Sequence, residues 1–65
     1  MGYRNVWEIL IKTKEGNTIQ RYVGKSGKVK PFIGWLRTLD YVREVTSRKL
    51  SDQERKAIPM NMIIG

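Results

Sequence analysis

The chain has 65 residues, which allow one domain at most and bury only about 60% of the surface that the unfolded form exposes. It contains no cysteine and no histidine, so disulfide staples and the usual zinc ligand sets are excluded, and the commonest general base and strongest nucleophile are missing. Thirteen Lys and Arg against six Asp and Glu give a formal net charge of +7, a balance that suits nucleic acid, an anionic membrane or an acidic protein as partner.

In chain order, Tyr3 to Lys12 reads as a strand. Tyr3, Trp7, Ile9 and Ile11 share one face at period two, and Arg4, Val6, Glu8, Leu10 and Lys12 share the other. The second face is mixed, as expected of a central strand covered in part on both sides. Lys14-Glu15-Gly16-Asn17 is a turn in which Gly16 supplies a positive φ. Thr18 to Val23 completes a β-hairpin. Gly24 to Lys30 reads as a loop of Gly, Lys, Ser and Val, and Pro31 fits the first turn of a helix, where its missing N–H costs nothing. Phe32, Trp35, Leu36 and Leu39 follow at helical spacing, with Gly34 as a weak point.

The segment after Asp40 has two readings. Val42 and Val45 can extend the helix face, or Tyr41 to Lys49 can form a third strand. Tyr, Val and Thr in this segment favour the strand, and a third strand stabilises a hairpin-and-helix unit. Ser51-Asp52-Gln53-Glu54 is a capping box, predicting a short helix from Asp52 to Ala57 that Pro59 terminates. The apolar tail Met60-Asn61-Met62-Ile63-Ile64 forms a last strand, covers the core or contacts a partner. The expected fold is therefore α+β, over residues 1–65: an N-terminal hairpin packed on one main helix, a third strand and a short capped C-terminal helix.

No run of about 18 apolar residues is present, so no membrane span is predicted. The start Met1-Gly2-Tyr3-Arg4 lacks the apolar segment of a signal peptide, and Gly2 lacks the Ser or Thr of a myristoylation site. With no cysteine, a cytoplasmic protein is the expectation.

Chemistry is sparse. Asp40 and Glu44 fit a solvated face, and Asp52 and Glu54 fit the capping box and helix dipole. No enzyme, cofactor or metal site is expected. Gly24-Lys25-Ser26-Gly27-Lys28 is not a Walker loop, because two residues rather than four separate the glycines and Val29 follows Lys28. Nor is it assigned as the Gly-x-x-Gly loop of KH domains, which joins two helices; a strand precedes it here, Lys30 stands at an apolar position, and Pro31 would fall inside the next helix.

The binding signal is the absence of acid between Glu15 and Asp40, a stretch that holds Arg21, Lys25, Lys28, Lys30 and Arg37. Glycines let backbone N–H groups approach an anion, and a helix N-terminus favours one. A phosphate-contacting surface of Arg21, Tyr22, Lys25, Ser26, Lys28, Lys30 and Arg37 is expected, with Tyr22 as an exposed platform for a base and Trp7 and Trp35 in the core. Arg48, Lys49, Arg55 and Lys56 read as solvated surface. These features predict a small nucleic-acid-binding accessory or regulatory protein, for DNA or RNA. The alternative is a non-catalytic inhibitor or adaptor of the kind phages encode. It would dock an acidic protein and anchor through Met60, Met62 and Ile64. A homodimer through the tail or an open sheet edge fits either.

Overall fold

The computed structural model describes residues 3–64; Met1, Gly2 and Gly65, and with them the reading at Gly2, lie outside the described residues. Strand β1 (Trp7–Thr13) turns back into β2 (Thr18–Val23), helix α1 (Ser26–Leu36) follows, and β3 (Val42–Lys49) returns to the sheet. Helix α2 (Asp52–Lys56), a 3-10 turn at Met60–Met62 and the two-residue strand β4 (Ile63–Ile64) complete the chain. The sheet order is β3-β1-β2-β4. β1 is antiparallel to both neighbours, and β4 runs parallel to β2. The expected α+β fold is the observed one, including the third strand at 42–49.

The hairpin closes on a three-residue loop. Thr13 N–H donates to the Asn17 carbonyl, Gly16 N–H donates to the Thr13 carbonyl, and Gly16 takes φ 89°. Only the glycine accommodates that left-handed position without strain. β1 is central, and its pleat sorts the side chains. Trp7, Ile9 and Ile11 face the helix, opposite Val23, Arg21 and Ile19 of β2. Ile9, Ile11, Val23, Leu36 and Val45 form the buried core, with Trp7, Ile19, Val29, Phe32, Ile33, Leu39 and Val42 packed against it. Val6 and Leu50 are buried apart from this cluster, joined by a hydrogen bond from Leu50 N–H to the Val6 carbonyl.

Two expectations about α1 are corrected. The helix begins at Ser26, so Gly27, Lys28 and Lys30 belong to it, and only Gly24 and Lys25 connect it to β2. Pro31 lies inside it and deletes the hydrogen bond from its own nitrogen to the Gly27 carbonyl. The earlier start brings Val29 into register with Phe32, Ile33 and Leu36, one continuous apolar stripe against the sheet. That burial offsets the lost hydrogen bond. The second correction is Trp35, which is 57% exposed rather than in the core, because the stripe turns Ile33 inward instead.

The opposite face of the sheet carries a polar chain. Gln20 donates to Glu8, Arg48 bridges Glu8 and Glu54, and the Arg48–Glu54 pair is bidentate at 3.1 and 2.8 Å. Glu54 also accepts from the Ser51 N–H while its own N–H donates to Ser51 Oγ, completing the capping box. The Arg48 hydrogen bond, then those from Ser51, hold the Glu54 carboxyl at a pKa of about 2.

Gly24 joins three parts of the molecule. Its N–H donates to the Ile64 carbonyl, and the Tyr3 ring lies against its α-carbon, while the Tyr3 carbonyl accepts from Arg55 of α2. A Cβ at position 24 would fall 2.7 Å from Tyr3 Cγ. Gly24→Ala should therefore destabilise by about 1–3 kcal/mol, read as a lower urea midpoint; an unchanged midpoint would mean that Tyr3 does not hold this position. Acid gives a second prediction. Glu54 has a depressed folded pKa, so its contribution is complete above about 4.5 and is lost as pH falls through about 2. The wild type should lose stability over that window more steeply than Arg48→Gln, measured by denaturant melts at successive pH values. Parallel pH curves would show that the bridge does not contribute.

Candidate nucleic-acid interface

Helix α1 lies over the sheet and leaves a depression along its β1–β3 side. At the N-terminal end of the helix, a hollow of about 530 Å³ is lined by Arg4, Asn5, Trp7, Lys25, Ser26 and Lys28, among others. A second hollow of about 480 Å³ continues along the helix between Lys30, Ile33, Arg37 and Ser47. Both are lined by Trp7, so the indole stands where they meet. Together they make a trough that follows α1, whose eleven residues span about 16 Å at 1.5 Å each.

The walls follow from the helix pattern. Val29 and Ile33 point down, which puts Lys30 and Arg37 on the flank facing β3. Trp7 is the first residue of β1 and pairs with Lys49 of β3, which adds a cation at the rim of the same sheet face. The helix N-terminus is unusual. Lys25 occupies the cap position without a side-chain cap, and the first turn contains no acidic residue. Cations at that end oppose the helix dipole, and of the first-turn N–H groups that of Lys28 donates to the Lys25 carbonyl.

Charge is segregated by the sheet. Every charged side chain lining the trough among the described residues is basic: Arg4, Lys25, Lys28, Lys30 and Arg37. Glu8, Glu44 and Glu54 are held in ion pairs with Arg48 and Lys12, whose strands turn these groups to the opposite face, and Asp52 pairs with Arg55 in α2. The other two acids, Glu15 in the hairpin turn and Asp40 in the turn after α1, do not line the trough, so its lining is wholly basic.

Of the residues expected from sequence, Lys25, Ser26, Lys28, Lys30 and Arg37 come together here. Arg21 does not. It lies on the far side of α1, and its guanidinium donates to the Gln20 carbonyl at 2.8 Å. Tyr22 pairs with Glu8 and so lies on the other face of the sheet, away from the trough. Met60 and Met62 are exposed in the 3-10 turn, and Ile64 lines a separate groove beside Phe32 and Trp35. Sequence reasoning missed Arg4 and Trp7 as members of the site. Trp7 heads an apolar face and packs against the core as that pattern implies, while its half-buried indole also lines both hollows. No known family, characterised protein or solved structure is significantly similar to this chain.

The trough's potential can be read through its indole. In a Trp35→Phe variant, iodide should quench Trp7 emission about threefold more strongly than caesium at low ionic strength, with the difference shrinking as salt rises. Equal quenching by the two ions would show that the bases do not focus charge at Trp7.

Proposed function

We propose that the protein binds single-stranded nucleic acid in the trough along α1, contacting the phosphate backbone without reading sequence. The observation that carries this reading is the joining of a wholly basic lining to one partly exposed indole. A positive groove that tracks a backbone, with an aromatic ring on which a base can stack, is the working arrangement of non-specific single-strand binders. In this reading Arg4, Lys25 and Lys28 meet phosphates at the helix N-terminus, where backbone N–H groups add to the attraction. Lys30 and Arg37 hold the strand along the helix flank, and Trp7 stacks on an extruded base. A duplex is disfavoured because its bases are already stacked and cannot reach the floor. In this reading the role is accessory or regulatory, in the cytoplasm, rather than catalytic.

The test is a titration against single- and double-stranded DNA and RNA across a salt series, followed by Trp7 emission in the Trp35→Phe variant. Five neutralised phosphates would give a slope of log affinity against log salt of about −3.5 for single strands. Lys30→Glu and Arg37→Glu, both on the exposed helix flank, should each weaken binding at least about tenfold and flatten the slope by about one contact each. Binding that is insensitive to both charge reversals, or a preference for duplex, would remove this assignment.

A further inference from the structure

On the other side of α1 a second groove separates the helix from the β2–β4 edge. Its walls are Ile19, Phe32, Trp35, Tyr41 and Ile64, and Arg21 stands at its side. Phe32 and Trp35 stack at 6.2 Å with an interplanar angle of 21°. Trp35 and Tyr41 nevertheless stay 57% and 51% exposed, a large aromatic surface in so small a protein.

This groove borders an open strand edge. β2 pairs with β4 at Tyr22 and Val23, so from Thr18 to Arg21 it has no strand neighbour on that side among the described residues. The hairpin's phase fixes which backbone groups are free. Thr13 and Asn17 close the ladder, and bonded pairs recur every second residue, so Ile11–Ile19 and Ile9–Arg21 are bonded to each other. The N–H and C=O groups of Thr18 and Gln20 therefore point outward, along the groove. The Gln20 carbonyl takes the Arg21 guanidinium in place of a strand partner.

We propose that this groove binds an extended acidic segment of a partner protein as an added strand on β2. The free edge supplies main-chain hydrogen bonds at Gln20 and Thr18, and alternate apolar side chains of the segment rest on Phe32 and Trp35. Its carboxylates meet Arg21 and, toward the helix N-terminus, Lys28, the two charged residues lining the groove among the described residues. β4 already uses this edge: Ile63–Ile64 is a strand on β2 whose Ile64 side chain enters the same groove. Charge complementarity selects the occupant. A second copy would bring its own +7 charge, whereas an acidic segment neutralises the cations that flank the aromatic floor. Nucleic acid has no peptide edge to pair with β2. The site lies on the other side of α1 from the trough and shares Gly27 and Lys28 with it.

The experiment is selection of displayed random peptides of about ten residues against the wild-type protein, with counter-selection against Trp35→Ala. Enriched sequences should alternate apolar and acidic residues. A synthetic peptide of the leading sequence should slow amide hydrogen exchange at Gln20 and Thr18. Arg21→Glu should weaken it at least about tenfold while leaving single-strand binding in the trough unchanged. Enrichment of peptides without carboxylates, no enrichment over the counter-selection, or unchanged exchange at Gln20 would each overturn the proposal. Concentration-dependent dimerisation of the wild type that Trp35→Ala abolishes would assign the groove to a second copy and would overturn it as well.

Discussion

The pleat of β1 is the constraint on which the rest of the structure depends. A central strand must satisfy both faces at once, and successive side chains go to opposite sides. Trp7, Ile9 and Ile11 face α1, whereas Glu8, Leu10 and Lys12 face away. The neighbours inherit this division through their register. A slip of one residue would put Glu8 against Leu36 and would expose Ile9, so the core and the charge pattern are specified together.

The same division organises the electrostatics. A chain of thirteen cations and six anions could spread them evenly, and the resulting surface would be uniformly basic. Here the strands place Glu8 beside Arg48 and Lys12 beside Glu44, and the capping box brings Glu54 to the other side of Arg48. Exposed pairs of this type add little stability individually. Their larger effect is to hold three of the six acids on one face. Among the described residues, the charged side chains lining the trough beside Trp7 are cations alone.

Much of the fold was legible in local pattern. The alternation in β1, the glycine at position 16 and the Ser51–Glu54 box each encode their element within a few residues, and the structure contains all three. The start of α1 was not legible, because Gly27 and Pro31 both argue against helix locally. Only contact with the sheet makes Val29 worth including. The exposure of Trp35 was not legible for the same reason, nor was the part of Trp7 that lines the trough while the indole packs on the core. Trp7 and Trp35 both sit on apolar patterns, but how far α1 reaches across the sheet, and which side chain its stripe turns inward, are tertiary facts. The basic residues of the helix were legible as a group, and their separation from Arg21 and Tyr22 was not. Adjacent residues on a strand face opposite ways, and no composition argument shows which way the helix lies.

Lys28 lines both grooves that flank α1. Its single ammonium group can be fully engaged by an anion on one side only. Two anionic ligands, one in each groove, would therefore be coupled unfavourably, through the shared cation and through their mutual repulsion across one helix. Such coupling is reciprocal by thermodynamic necessity: the factor by which the first ligand weakens the second equals that by which the second weakens the first. Under the two proposed bindings the surfaces would act as antagonists without any change of shape, and the partner present at the higher ratio of concentration to dissociation constant would hold the protein.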